Sequence, residues 1–290
     1  MPRLLCNELR RNSSMWFRLW ASSGRFMSNF GDDLSRLVLR EVTGQDVRWS
    51  TPARADVLGI GSILELAFKE GAKDCIIWGS GLRQSSLSLS GDSLMENGWD
   101  FLAVRGPLTS SSLDLDQNVT WGDPGILSPY LMEGVHISGS GHVVVPHFST
   151  WDTVSGRALL RQIQGEGYTI LPPTLGPSEM LRRLAGAEVV YSSSLHGIIV
   201  SDSFGIPAIP LKPDSLNRHL PVAGRAESNF KYNDYFASLG SIRASVDFSD
   251  LLSGNTAPAL QHASELVDTI RPKITELSSN LVQALTSRLG

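Results

Sequence analysis

Short apolar runs alternate with segments of helical periodicity along most of this chain. The first series predicts a helix and then three buried strands, at 30–42, 56–60, 74–78 and 100–104. The second series predicts further strands and helices, at 142–146, 154–164, 168–171, 177–185, 187–191 and 207–211. Apolar runs that alternate with helices are typical of parallel βαβ units. The predicted fold class is therefore α/β, with two Rossmann-like lobes, a central interlobe cleft and a C-terminal helical segment.

The two series also predict the domain boundaries. Residues 1–135 form the N-terminal lobe, which carries an N-terminal extension over 1–25, and residues 140–255 form the C-terminal lobe. A connector rich in glycine and serine joins the lobes. Residues 257–290 are amphipathic and predict helices that are broken near Pro272 and pack back on the lobes.

Composition narrows the class of protein. The chain has 290 residues, 41% hydrophobic and 19% charged, with a formal net charge of −4. These values predict a globular protein without the basic surface that nucleic acids require. Cys6 and Cys75 lie far apart and form neither a metal-ligand pair nor a disulfide framework, which favours a reducing, cytoplasmic compartment.

The sequence has no apolar run of 18 or more residues, so no membrane-spanning segment is predicted. The first 20 residues mix arginines with leucine, tryptophan and phenylalanine. This mixture is compatible with a weak membrane-surface helix, and hence with peripheral association at the inner membrane face. An ordinary first helix and strand is the alternative.

The stretch with the richest candidate chemistry begins after the buried strand at 187–191. Three serines at 192–194 supply a helix N-cap, and His196 lies in the first turn of the helix that follows. Free N–H groups at a helix start bind anions. This junction is therefore a candidate site for a phosphorylated substrate, and its candidate residues are Ser194, Leu195, His196 and Gly197. A histidine that merely packs at a helix start is the alternative.

Polar residues follow several other predicted strands, at the sheet edge where α/β proteins bind ligands. Arg105 follows the strand at 100–104 and either clamps a carboxylate or phosphate, or pairs with Asp123 or solvent. His147 ends the strand at 142–146, close to the predicted cleft, and is either functional or structural.

Other candidates belong to loops and helix starts. Asn29 precedes Asp32 and Asp33, which either cap the helix at 30–42 or orient a sugar hydroxyl and act as a base. Gly79 and Ser80 let the backbone approach a ligand closely. Lys231 begins a cluster with two tyrosines that lines a sugar site or packs as a surface helix.

Several common site motifs are not found. The histidines at 136, 142, 219 and 262 have no metal-ligand spacing, and there is no GxSxG nucleophile elbow. The glycine pairs match neither GxGxxG nor a Walker A sequence. The sequence thus contains no motif that points to a bound metal or a cofactor. Whether a divalent metal assists the reaction is left open.

Seven short motifs occur in an order and spacing that resemble the polysaccharide pyruvyltransferase family, over roughly residues 28–239. They are Asn29-Phe30-Gly31-Asp32, Gly61-Ser62-Ile63-Leu64, Trp78-Gly79-Ser80-Gly81, Arg105-Gly106-Pro107-Leu108-Thr109, Gly122-Asp123-Pro124, Pro146-His147 and Ser194-Leu195-His196-Gly197. The N-terminal 25 residues lie outside the resemblance.

The resemblance implies a fold similar to two-lobed GT-B glycosyltransferases, with the acceptor on the N-terminal lobe and the donor on the C-terminal lobe. It implies transfer of the pyruvyl group of phosphoenolpyruvate onto two hydroxyls of a glycan or lipid-linked sugar, which forms a ketal and releases phosphate. His196 would be the catalytic histidine and Arg105 a ligand of phosphoenolpyruvate. Some members have arginine where this chain has Ser194. If that arginine holds the donor, then either Arg105, Lys212, Arg218 or Lys231 substitutes for it, or the affinity for the donor is weaker.

The predicted mechanism needs an acid and a base. Protonated His196 would deliver a proton or protect the leaving phosphate, and Asp32 or Asp33 would take the proton of a sugar hydroxyl. The remaining predicted substrate-binding residues are Arg105, Ser194, Leu195, Gly197, His147, Asn29, Asp33, Gly79, Ser80 and Lys231. A GT-B glycosyltransferase that uses a nucleotide sugar and a non-catalytic glycan-binding subunit are the alternative functions. The acceptor sugar, the ketal position and the oligomeric state are open.

Overall fold

The α/β class is confirmed by two parallel sheets surrounded by helices. The computed structural model describes residues 13–15, 19–20, 26–27, 29–85, 90–116, 118–137, 139, 141–212 and 229–289. The strands in these ranges are β1 Ser13–Met15, β2 Leu19–Trp20, β3 Phe26–Met27, β4 Arg48–Trp49, β5 Val57–Leu58, β6 Ile76–Trp78, β7 Asp100–Val104, β8 Thr120–Trp121, β9 Gly141–Val145, β10 Thr169–Ile170, β11 Ala187–Ser192 and β12 Ala208–Pro210.

Helices follow most of these strands, as the alternating pattern predicts. They are α1 Phe30–Thr43, α2 Leu64–Lys69, α3 Gly91–Glu96, α4 Pro107–Ser112, α5 Phe148–Trp151, α6 Val154–Gly165, α7 Pro177–Ala185, α8 Leu195–Ser203, α9 Phe230–Ser238, α10 Phe248–Ser253 and α11 Ala257–Leu289. Two 3₁₀ helices, Pro52–Arg54 and Pro124–Met132, complete the described elements.

The first sheet has the strand order β4-β1-β5-β6-β7-β8, and all its neighbours are parallel. Strand β1 lies between β4 and β5, with Ser14 opposite Val57. The Ser14 hydroxyl donates a hydrogen bond to the carbonyl of Val57 at 2.9 Å. The prediction that residues 1–25 form an extension is therefore wrong for Ser13–Met15, because these residues are an internal strand of the sheet.

The second sheet has the parallel strand order β10-β9-β11-β12. From β9 the chain moves outward to β10 and then returns to the other side of β9 as β11. The direction of winding thus reverses between β9 and β11. In open α/β sheets a crevice for ligands forms outside the carboxyl ends of the strands at such a point.

One hydrophobic cluster includes residues of both sheets. Val57 and Trp78 of the first sheet share it with Val143 and Val190 of the second, and all four are buried. Helix α1 contributes Phe30, Leu34 and Val38 to the same cluster. The two predicted series thus form two sheets that share one core, whereas their separation into lobes with a cleft stays a prediction.

Helix α11 packs on both sheets, in agreement with the amphipathic pattern. Its buried face includes Ile274, Leu277 and Leu281, and the Trp78 indole donates to the Leu281 carbonyl at 2.9 Å. The predicted break near Pro272 is wrong, because Pro272 lies within a continuous helix. It lies on the exposed face, where solvent can hydrate the carbonyl that loses its partner. In the described ranges, no helix combines the length and the apolar character needed to cross a membrane.

Candidate active site

A compact serine turn connects β11 to α8 at the reversal point of the second sheet. The Ser194 N–H donates to the Ser192 hydroxyl at 3.0 Å, and this hydroxyl donates to the Ser194 carbonyl at 2.7 Å. Gly197 is required here, because a Cβ at this position would overlap the Ser192 hydroxyl. Ser194 is the N-cap of α8, as predicted, but its side chain makes no capping hydrogen bond. The first N–H groups of α8 are therefore not covered by the Ser194 side chain.

His196 lies in the first turn of α8 and packs against the first turn of α1. A Cβ on Gly31 would overlap the imidazole at Nδ1, and the Phe30 ring meets the imidazole edge-on at a centroid distance of 6.4 Å. The Nε2 atom of His196 is buried and has no hydrogen-bond partner among the described residues. The contact brings the N-termini of α1 and α8 together at His196. The Nε2 atom of this histidine is left without a hydrogen-bond partner among the described residues.

The first turn of α1 carries three further predicted residues. The Asn29 side chain caps the helix by accepting a hydrogen bond from the Gly31 N–H at 3.2 Å. Asp33 is partly exposed, whereas Asp32 is buried, and within the described ranges its carboxyl group has no hydrogen-bond partner. Burial, reinforced by the charge of Asp33, raises the pKa of Asp32 to about 8. Asp32 is consequently protonated at neutral pH.

His147 follows β9 and caps α5, so it lies beside the serine turn. Its backbone N–H donates to the Ser193 hydroxyl at 2.7 Å, and its Nδ1 lies 2.8 Å from the Ser149 hydroxyl. Because the Ser149 N–H also points at Nδ1, this nitrogen is the acceptor of the ring. The structure therefore brings His147 and His196, each of which was predicted to follow a strand, to neighbouring strand ends of the second sheet.

Both histidines are neutral. Burial, together with the charges of Lys231 and Arg105, lowers the pKa of His196 to about 3. Burial and the charges of Lys231 and Arg83 also lower the pKa of His147 to about 3. The predicted roles are therefore corrected: in the unliganded protein His196 is not a protonated acid, and Asp32 is not an ionised base.

Arg105 does not have the role predicted for it. Its side chain is fully buried, and its guanidinium donates to Asp234 at 3.0 Å, to the Ser62 hydroxyl at 2.6 Å and to the Leu82 carbonyl at 2.5 Å. Gly81 makes room for this group, since a Cβ there would overlap the guanidinium. These internal partners occupy the guanidinium, and the ion-pair partner is Asp234 rather than Asp123 or solvent.

Gly79 and Ser80 are also engaged in packing, which corrects their predicted substrate-binding role. Gly79 has a φ of 86°, and a Cβ there would overlap Pro124. The Ser80 hydroxyl is fully buried and donates to the Gly61 carbonyl at 3.0 Å. Sequence reasoning assigned both residues to a ligand because they follow a strand. In the structure Gly79 lies at the tight junction of β6 with the 3₁₀ helix, and Ser80 binds the chain segment after β5.

Lys231 lies in the first turn of α9, and its charge reaches the predicted catalytic groups. It lowers the pKa of His147 and His196, and it opposes the rise in the pKa of Asp32. Burial and the charges of Arg105 and Arg83 lower the pKa of Lys231 itself to about 8. No carboxylate in the described part of the chain forms an ion pair with it. The structure thus groups Lys231 with Asp32, His147 and His196.

The other two cations suggested for the donor are less suitable. Lys212 is half exposed and lies 3.8 Å from Asp247. Arg218 lies outside the described residues. Among the described residues, no three His, Cys, Asp or Glu side chains form a group that could hold a metal ion.

Sequence reasoning missed Asp234 and the hydroxyl of Tyr232. Asp234 is fully buried and accepts hydrogen bonds from Arg105 and from the backbone and side chain of Thr109. The Tyr232 hydroxyl donates to the Ser193 carbonyl at 2.6 Å. Both belong to the cluster at 231–235 that the sequence analysis noted. The sequence offered one signal, the aspartate of this cluster, because a buried carboxylate needs a cation as its partner.

Comparison with known proteins identifies the family of the chain. A family model described as polysaccharide pyruvyl transferase matches residues 16–215. The chain is 25% identical over 216 residues to the succinoglycan biosynthesis protein ExoV of Rhizobium meliloti (strain 1021). This alignment covers 73% of the chain and 62% of that relative, so it spans less than two thirds of the relative's length.

The fold and the site define a parallel α/β protein with a polar site at the strand ends. Since the family model covers more than half of the chain, the protein belongs to the polysaccharide pyruvyl transferase family. The family resemblance inferred from the seven motifs is confirmed. The matched region begins at residue 16, so the prediction that the first 25 residues lie outside it is wrong for residues 16–25.

Proposed function

We propose that this protein transfers the pyruvyl group of phosphoenolpyruvate onto two hydroxyls of a sugar in a polysaccharide or its precursor. The products are a pyruvate ketal and inorganic phosphate. Family membership supports this proposal, as does the name of the relative, which is a succinoglycan biosynthesis protein. The proposal includes a cytoplasmic location and a glycan or lipid-linked sugar as the acceptor.

The observation that carries the proposal is the unsatisfied Nε2 of His196 at the meeting point of two helix starts. Phosphoenolpyruvate carries a phosphate and a carboxylate, so its site must provide N–H donors and a positive charge. The start of α8 offers the donors, because the Ser194 side chain does not cap it. Lys231 offers the charge. A substrate oxygen at this position would satisfy His196.

The protonation states support a definite assignment of acid and base. The protonated carboxyl of Asp32 donates its proton to the methylene carbon of the donor, and the first sugar hydroxyl attacks the neighbouring carbon. Neutral His196 accepts the proton of this hydroxyl and passes it to the departing phosphate oxygen as the C–O bond breaks. The second hydroxyl then closes the ketal and returns its proton to Asp32.

His147 and Lys231 assist this chemistry without exchanging protons in it. Lys231 neutralises part of the charge on the phosphate as that charge grows. His147 borders the same strand end and is held in one orientation by Ser149, so it suits the binding of a sugar hydroxyl. The proposal gives a divalent metal no role, because neither the sequence nor the described residues provide a site for one. The assay is therefore run both with and without divalent metal.

Phosphate release from phosphoenolpyruvate tests the proposal, measured with galactosides, glucosides and mannosides, each with and without divalent metal. We expect release to depend on one acceptor class and to fall about 10²–10⁴-fold in His196→Ala, as for loss of a general base. His142→Ala, a partly exposed histidine on β9, is the matched control and should retain activity. Turnover of a nucleotide sugar instead would identify a glycosyltransferase. Glycan binding without phosphate release would identify a non-catalytic subunit.

A further inference from the structure

Helix α9 is attached to the first sheet through the carboxylate of Asp234. This carboxylate accepts hydrogen bonds from Arg105 at 3.0 Å, from the Thr109 N–H at 3.0 Å and from the Thr109 hydroxyl at 2.6 Å. Both side chains of the Arg105–Asp234 ion pair are fully buried. A Cβ on Gly106 would overlap the backbone carbonyl of Asp234. The helix is thus held tightly on the junction between β7 and α4.

Two tyrosines attach the same helix to the serine turn after β11 and to helix α8. The Tyr232 hydroxyl donates to the carbonyl of Ser193 at 2.6 Å, and the Tyr235 hydroxyl donates to Asp202 at 3.0 Å. Ser193 directly precedes the N-cap of α8, and its hydroxyl accepts the N–H of His147. Helix α9 therefore connects the end of β7 with the strand ends that carry His147 and His196.

Lys231 occupies the first turn of this bridging helix. Its Nζ lies 5.2 Å from the centre of the Tyr232 ring, whose hydroxyl is bound to the serine turn. In the described part of the chain, no carboxylate pairs with this ammonium group. A cation without a salt-bridge partner keeps its place at the site only if the helix that carries it is fixed.

We infer that Asp234 is a positioning residue, which holds α9 against Arg105 and Thr109 and thereby places Lys231 where it binds the donor's anionic group. This inference rests on the proposed function, because it assigns Lys231 to phosphoenolpyruvate. It also gives Arg105 a different task from the predicted one. Arg105 acts on the donor through α9 rather than by direct contact.

Calorimetric titration of phosphoenolpyruvate into four proteins tests the inference. These are the wild type, Lys231→Met, Asp234→Asn and the double variant. We expect each single variant to weaken binding at least tenfold, and the double variant to bind no more weakly than Lys231→Met, because Asp234 acts through Lys231. The inference is overturned if the loss of affinity in the double variant equals the product of the losses in the two single variants. It is also overturned if Asp234→Asn binds phosphoenolpyruvate normally.

The pH dependence of acetylation at the Lys231 amine is a second readout, followed by mass spectrometry with Lys273 as an internal reference. Release of Lys231 from its partly buried position in Asp234→Asn should raise its pKa from about 8 toward 10.5. If α9 stays in place, loss of the Asp234 charge instead exposes Lys231 to more of the Arg105 charge, and the pKa stays the same or falls. A rise therefore supports the inference, and no rise contradicts it.

Two further variants separate positioning from loss of stability. Leu160→Ala opens a cavity in a cluster that excludes α9, so it should lower stability and leave the Lys231 pKa unchanged. Gly106→Ala displaces the Asp234 backbone without a change of charge, and it replaces Asp234→Asn if that variant does not fold. If the wild type binds no phosphoenolpyruvate while Asp234→Asn still raises the Lys231 pKa, the proposed function fails and the positioning role stands.

Discussion

Gly31 of α1 and His196 of α8 pack so closely that a Cβ on residue 31 would overlap the imidazole. Each residue is the second of its helix, so the contact joins the N-termini of two helices. The helix that follows β3 and the helix that follows β11 thereby build one site. This relationship makes the position of His196 depend on a glycine 165 residues earlier in the chain (196 − 31).

Gly31→Ala tests that dependence. The added methyl group must displace either the imidazole or the start of α1, and misplacement of a catalytic group by about 1 Å costs on the order of 10² in rate. We expect such a loss in phosphate release. Gly165→Ala is the control, because it adds a methyl group to a helical glycine with open space around it. Equal activity of the two variants would show that the contact does not position His196.

The proposed mechanism predicts two separate effects of alkaline pH in steady-state kinetics. Above pH 8 the Asp32 carboxyl loses the proton it donates, so kcat should fall. Lys231 loses its charge in the same range, so KM for phosphoenolpyruvate should rise. Lys231→Arg keeps the charge and should remove the change in KM while the fall in kcat remains. If both changes disappear in Lys231→Arg, Asp32 is not the acid.

Burial of Asp32 also predicts how stability depends on pH. The pKa of Asp32 is about 8 in the folded state, whereas that of an aspartate in the unfolded chain is 3.8. Between these values the folded protein therefore binds more protons than the unfolded chain. Stability contributed by this group is present below pH 4 and is lost as the pH rises toward 8. Relative to the wild type, Asp32→Asn should therefore gain a few kcal/mol between pH 5 and pH 8, since one pKa unit corresponds to about 1.4 kcal/mol.

Urea denaturation at several pH values measures this difference. The two neutral histidines also reduce stability as the pH falls from 6.5 toward 3. This loss occurs equally in the wild type and in Asp32→Asn, so it cancels when the two are compared. Asp92→Asn, an exposed aspartate in the first turn of α3, provides the control. A difference between Asp32→Asn and wild type that does not change with pH would contradict a protonated Asp32.

Neighbouring serines in the turn before α8 should respond differently to substitution. Ser192→Ala removes a buried hydroxyl that binds the N–H and the carbonyl of Ser194, and such a loss costs about 1–3 kcal/mol. Ser194→Ala removes a hydroxyl with no capping bond and should change stability by less than about 0.5 kcal/mol. Thermal unfolding compares the two. A large loss in Ser194→Ala would mean that its side chain does cap α8.

Gly79→Ala should damage folding rather than donor binding. The substitution combines a positive φ with an overlap against Pro124, and backbone strain of this kind alone costs about 1–3 kcal/mol. Gly71→Ala is the matched control, since its φ of 79° is similar but nothing lies within 4 Å of the added methyl group. We expect a much lower Tm for Gly79→Ala than for Gly71→Ala. Normal stability with weaker phosphoenolpyruvate binding would return Gly79 to the substrate site.

Local patterns predicted much of the fold because the forces behind them act over a few residues. Helix α7 and strand β7 have the predicted bounds, and α1 and α6 differ from theirs by one residue. The bounds of strand β1 were not predicted, because its three residues lie among arginines and tryptophans that obscure any apolar run. Pro272 was taken as a helix break because the sequence alone does not show that it lies on the solvent face.

By itself the sequence determined that His147 and His196 each follow a buried strand, because an apolar run, a polar cap and helical periodicity are local signals. That the two strands are neighbours in one sheet was decided by the tertiary structure. Only the tertiary structure decided which groups carry charge and which partners they have. Arg105 binds Asp234, which is 129 residues away in the chain, and Asp32 is neutral because elements distant in sequence exclude water from it. Desolvation and long-range pairing depend on the packed arrangement, and no local pattern encodes them.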